Sequence, residues 1–96
     1  MACKSVLVDD MEHCFVCGKP YPQIHHVFFG SKRNISEKLG YVIPLCMMHH
    51  TGSKYCPHQD RNIDLAYKRF AQRHFESTIG TRNDFIKLFN KSYILD

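Results

Sequence analysis

Two short metal-ligand clusters constrain this chain more than anything else in it: Cys14-Phe15-Val16-Cys17 near the start and Cys46-Met47-Met48-His49-His50 in the middle. Pairs of this kind, about thirty residues apart, read as the two halves of one tetrahedral zinc site. Gly18 follows the first pair at once, as suits a knuckle whose backbone turns tightly to aim amide N–H groups at sulfur. Cys46-x-x-His49 supplies the second half. His49 and His50 are adjacent, so on a helix they diverge by about 100° and only one can face the same ion. The spacing from Cys46 favours His49, with Cys56 as the alternative. Cys3 has no partner at a useful spacing.

With 96 residues the chain is one domain with a small core, for which a bound metal is a usual staple. Structural zinc can contribute about 10–16 kcal/mol to folding, against a typical net stability of about 5–15 kcal/mol. The start MACKSVLVDD lacks the apolar centre of a signal peptide, and no apolar run reaches the roughly 18–20 residues of a membrane span. A cytoplasmic location without membrane attachment is therefore expected, where five cysteines serve as ligands rather than disulfides. The formal charge of +4 is compatible with a polyanionic partner but does not specify one.

Residues 1–12 read as a leader and 13–96 as the domain. Gln23 to Phe29 suits a strand ended by Gly30, and Tyr41 to Leu45 a second one, with Pro44 restricted to an edge or bulge. Between them lies a polar, basic loop with one helical turn from Ser36. Thr51 to Pro57 should be a loop. A helix is expected from about Asp60 to Gly80, capped by Asp60 or Asn62, with Ile63, Ala66, Tyr67, Phe70, Ala71 and Phe75 on its buried face. Thr81-Arg82-Asn83-Asp84 resembles a capping box and opens a second helix, whose Phe85, Leu88 and Phe89 pack on the first.

Four further histidines, His25, His26, His50 and His58, are enough for a second metal centre. His25 and His26 are consecutive on a strand, so their side chains leave opposite faces. The full order is Cys14-x-x-Cys17, then Ile24-His25-His26-Val27-Phe28-Phe29-Gly30, then Pro44-Leu45-Cys46-x-x-His49-His50, then His58. It resembles the zinc-containing HNH endonuclease superfamily and, more narrowly, small HNH-like proteins encoded by bacteriophages, over roughly residues 13 to 95.

That resemblance implies an α+β fold: a small zinc-stapled ββα-metal, treble-clef-like domain followed by a helical pair. It implies structural zinc on Cys14, Cys17, Cys46 and His49. It also implies a catalytic divalent cation, Mg2+ or Mn2+, on His25, His50 and His58, with His26 as general base. The implied activity is hydrolysis of DNA phosphodiesters, in a host cell's cytoplasm if the chain is phage-encoded. Two departures stand out. Tyr41 occupies the place of the family's asparagine, which braces the inter-strand loop, leaving Asn34 or Tyr41 as the candidate brace. His50 and His58 lie farther apart than in the simple family pattern.

Lys32, Arg33 and Lys38 in the inter-strand loop, flanked by Lys54 and Arg61, are candidate phosphate contacts. A zinc-stabilised nucleic-acid-binding module without catalysis is the alternative function. An adaptor docking through Phe28 or Phe29 is a third. His13 and His74 carry no expected role beyond packing or solvation.

Overall fold

A computed structural model of the chain describes residues 4–52 and 56–94. Within them the order of elements is β1 (Gln23–His26), α1 (Arg33–Leu39), β2 (Val42–Leu45), α2 (Met47–His50), α3 (Arg61–Thr78) and α4 (Arg82–Phe89), with a single 3-10 turn at Gly30–Lys32. The fold is α+β: a two-stranded antiparallel sheet backed by helices.

The strands pair Gln23 with Leu45, Ile24 with Pro44, His25 with Ile43 and His26 with Val42. Pro44 is tolerated because its carbonyl points away from β1 and accepts the Phe15 N–H at 2.7 Å, so its missing donor also faces outward. That bond also docks the first cysteine knuckle on the sheet's open edge. The inter-strand segment is more helical than expected, forming two turns of α1 rather than one. It stops at Gly40, whose φ of +81° is a left-handed cap. A Cβ at Gly40 would sit 3.0 Å from Val6 Cγ1, because the N-terminal segment packs over it and Val6 N–H donates to the Gly40 carbonyl. Part of the expected leader, including Leu7 against the core, therefore belongs to the folded unit.

Val27, Phe28, Tyr41, Ile43 and Leu45 from the sheet region meet Ala71 and Phe75 of α3 and Phe85 and Phe89 of α4. Phe28 is central, with ring centroids 4.1 Å from Phe89 and 5.6 Å from Phe85. Thr81 and Asp84 form the capping box of α4 in full. Leu88 is exposed, contrary to expectation, because the α4 stripe narrows to Phe85 and Phe89.

The buried face of α3 differs from the one its apolar spacing suggests. Asp64, Lys68 and Gln72 are buried, whereas Ala66 and Phe70 are exposed. The C-terminal strap explains this rotation. Gln72 Nε2 donates to Ser92 Oγ at 2.9 Å, its Oε1 accepts the Tyr93 N–H at 2.8 Å, and Arg69 Nε donates to the Tyr93 carbonyl at 2.9 Å. Asp64 bonds the buried Lys68 ammonium and accepts from Arg61 at 2.8 Å. Polar groups are thus covered because each finds a partner.

Removing one member of a buried pair leaves the other charge desolvated, so Lys68→Met should lower the unfolding free energy by about 3–5 kcal/mol in denaturant titrations. Adding Asp64→Leu to that variant should restore most of the loss. Equal instability of the single and double variants would contradict a buried, mutually dependent pair.

Candidate metal centres

The Cys14–Cys17 knuckle closes through an N–H of Gly18 donating to the Cys14 carbonyl at 2.9 Å, with Gly18 at φ +78°. Cys46 is the N-cap of α2, so one turn of helix carries His49 back over it, its N–H bonded to the Cys46 carbonyl at 3.0 Å. These four side chains, Cys14, Cys17, Cys46 and His49, converge and could hold a metal ion. The Cys17 and Cys46 sulfurs are 3.7 Å apart, and His49 Nδ1 lies 3.2 Å from the Cys46 sulfur and 3.7 Å from that of Cys14. A tetrahedron with zinc–sulfur bonds of about 2.3 Å has sulfur–sulfur edges of about 3.7 Å and slightly shorter sulfur–nitrogen edges, so the donor set fits that ion.

Burial works to raise the Cys14 thiol, but the N–H groups of Cys46, Cys17 and Val16 aimed at its sulfur prevail and lower it from 9.0 to about 6. The Lys19 N–H favours a Cys17 thiolate, yet burial and the Cys14 and Cys46 sulfurs outweigh it and raise that thiol. A bound cation would favour the thiolate form of both. Cys56 is buried outside this group, and its carbonyl instead accepts the Gln59 and Asp60 N–H groups at 3.1 and 2.8 Å. That turn presents His58.

The second group is made of imidazoles. His25 (β1), His50 (the end of α2) and His58 could together hold a metal, with donor atoms within 4.8 Å of one another. Their rings form a near-equilateral triangle, with centroid separations of 5.2, 5.2 and 5.0 Å. Both nitrogens of His25 are buried without a hydrogen-bond partner among the described residues. An imidazole left in that condition is costly unless something else takes its lone pair. Burial, then His50 and His58, lowers its pKa from 6.5 to about 3, so it is neutral and able to ligate.

Gln23 completes the arrangement. Its amide oxygen accepts from His50 Nδ1 at 2.7 Å, which fixes the ring and leaves Nε2 for the cluster. Gln23 lies two residues before His25 on β1, and strand periodicity places both on one face. That was the available signal.

His26 leaves the opposite face, half-buried, with Nε2 3.8 Å from Glu37 Oε1. Burial and then Arg33 lower its pKa, against the opposing pull of Glu37. Its charge is felt at both His25 and His50, where it adds to the lowering of their pKa values.

The tie between the strand ends runs through Ser36. Ser36 Oγ accepts the Phe28 N–H at 3.2 Å and donates to the Tyr41 carbonyl at 2.6 Å, while the Tyr41 N–H donates to the Ser36 carbonyl at 2.8 Å. Neither expected brace holds the loop through its side chain: Asn34 is exposed on α1, and the Tyr41 hydroxyl pairs with His74 Nδ1 at 3.1 Å. A serine within a polar loop carries no distinguishing pattern, so the sequence concealed it.

Lys32 ends the 3-10 turn, Arg33 opens α1 exposed beside His26, and Lys38 is exposed in its last turn. Lys54 lies outside the described residues. Tyr67 on α3 stands between the centres, its ring 6.0 Å from His25 and its hydroxyl raised by burial and by Cys14. Among the described residues, no helix is long and apolar enough to cross a membrane. No protein family, curated protein or solved structure matches this chain.

Strong chelation should abolish the cooperative thermal transition, and Cys17→Ser should reproduce that in untreated protein; an unchanged transition in both would contradict a structural metal. With the histidine group free of metal, His25→Leu should stabilise the fold by about 1–3 kcal/mol, since it replaces two orphaned nitrogens by an apolar group. The unfolded chain protonates His25 near pH 6.5 but the folded chain only near 3, so acidification between those values favours unfolding. His25→Leu should therefore also show a shallower loss of stability over that interval. A variant less stable than the parent with an identical pH slope would count against this account.

Proposed function

We propose that this chain is a small HNH-type endonuclease, with structural zinc on Cys14, Cys17, Cys46 and His49 and a divalent cation, Mg2+ or Mn2+, on His25, His50 and His58. The observation that carries the reading is the convergence of three imidazoles around the orphaned nitrogens of His25. The antiparallel strands followed by the short α2, with cysteines and histidines in the family's order, support the ββα-metal assignment.

A cation held by the histidine triangle would polarise a phosphodiester and offset charge on the leaving oxygen. The protein's own share is positional. β1 presents His25 to one face and His26 to the other. Gln23 holds the His50 ring. The Cys56 turn brings His58 across the gap in sequence. His26 accepts the proton of the attacking water, and burial together with Arg33 keeps it neutral for that role near neutral pH. Lys32, Arg33 and Lys38 lie in the segment that would meet the DNA backbone.

A specific observation keeps a second reading in view. Tyr41, in the asparagine place, is buried and bonded to His74. A non-catalytic nucleic-acid-binding module would retain the thiolate centre and the basic loop without turnover. The Ser36 tie favours the enzyme, because the loop is braced without an asparagine.

With Mg2+ or Mn2+ present, the protein should cut plasmid DNA, and His26→Ala should reduce the rate about 10²–10⁴-fold while keeping the fold. The acid limb of the rate profile should fall below pH 6.5, since the His26 pKa is lowered from that value. Salt-sensitive binding with no scission would support the second reading. Cleavage unchanged by His26→Ala would remove His26 as the base.

A further inference from the structure

Beside the histidine triangle lies a second concavity, which neither metal centre uses. Its walls are Phe28, Phe29, Lys32, Arg61, Lys68 and Tyr93, and its volume is about 190 Å3. Liquid water occupies about 30 Å3 per molecule, so there is room for a polyatomic anion and part of what it is attached to. Three of the six walls are cationic. Asp64, bonded to Arg61 and Lys68, is the acid that compensates them, which leaves an excess of two positive charges at the pocket. Lys91 adds to it, close enough for its charge to be felt at the Lys68 ammonium.

Lys68 is only 5% exposed, yet it lines this opening, with its ammonium 4.2 Å from the Phe29 ring centroid. The buried Lys68–Asp64 pair costs desolvation that two apolar side chains in its place would avoid. Phe29 is 42% exposed and is the wall shared with the metal group: its ring lies 5.2 Å from that of His58. Anything extending from the histidine triangle past Phe29 arrives among Lys32, Arg61 and Lys68.

We propose that this pocket binds one backbone phosphate of a nucleic-acid strand, neighbouring the phosphate held at the histidine triangle, with Phe29 against the intervening nucleoside. The proposal rests on the nuclease reading for the second phosphate. The recognition itself is electrostatic and needs no catalysis. Lys32 and Arg61 reach the phosphate from the rim. Lys68, fixed by Asp64, supplies the positive floor. Tyr93, tied to α3 through Arg69 and Gln72, closes the far side.

The test uses wild-type protein without added Mg2+ or Mn2+, a short fluorescein-labelled oligothymidylate, and anisotropy over a range of salt concentrations. The double variant Lys32→Ala/Arg61→Ala should bind about ten-fold more weakly at low salt. Its slope of log affinity against log salt should flatten by about 0.7, the loss of one phosphate contact on a single strand. Lys87→Ala on α4 serves as the control and should change neither. Amide spectra should show the double variant folded, and inorganic phosphate should shift the Phe29, Lys68 and Tyr93 amides of the wild type but not of the variant.

An unchanged slope, or an equal change in the Lys87 control, overturns the proposal. So does a pocket that takes inorganic phosphate while oligothymidylate affinity is unaffected by the double variant, which would make it a small-anion site. The readout is separate from cleavage. A chain that never cuts DNA but shows the slope change refutes the nuclease reading alone, and one that cuts without it refutes the pocket alone.

Discussion

Convergence of three sulfurs and one imidazole ties the least regular part of this chain to its most regular part. The Cys14–Cys17 knuckle has little of its own to bury, since Phe15, Val16 and Cys17 are exposed. It is held by the Phe15 N–H to Pro44 bond and by the approach of Cys46 and His49. Those two residues sit where β2 becomes α2, so any ion placed among the four fixes the end of the sheet and the start of that helix together. A helix as short as Met47–His50 would not persist on propensity alone. Fixing it matters because its last residue is His50.

From that anchor the histidine triangle follows by geometry. The strand's alternation separates His25 from His26, the helix turn separates His49 from His50, and each adjacent pair is thereby sent in two directions. The interior pays for this with an imidazole whose nitrogens have no partner among the described residues. Such an arrangement runs against good packing, which would pair or exclude a buried polar ring. The adjoining cationic hollow repeats the pattern, with a lysine kept inside by a single carboxylate.

Much of this was legible in the residues. Ligand spacing pointed to Cys14, Cys17 and Cys46 and favoured His49 over Cys56, while turn and capping signals put the start of α4 at Thr81 and of α3 at Asp60 or Asn62, of which Asp60 is the cap. What remained hidden shares one cause. The apolar stripe of α3 suggested a face that the C-terminal strap overrides, because Gln72 and Arg69 bond a segment more than twenty positions away. Ser36 and Gln23 act through single hydrogen bonds between elements, and no periodicity marks those. The separation of His50 and His58 by eight positions obscured their meeting, which depends on the turn closed by the Cys56 carbonyl.

The central claim is that two chemically different metal centres lie side by side in one small fold. Cobalt titration of the metal-free protein tests it most directly. The first equivalent should bring thiolate-to-metal charge transfer and the intense visible bands of a tetrahedral sulfur-rich site. A second equivalent should add only weak bands, and His50→Ala should eliminate that second step alone. Uptake that stops after one equivalent, or a second step that His50→Ala leaves intact, would contradict the account.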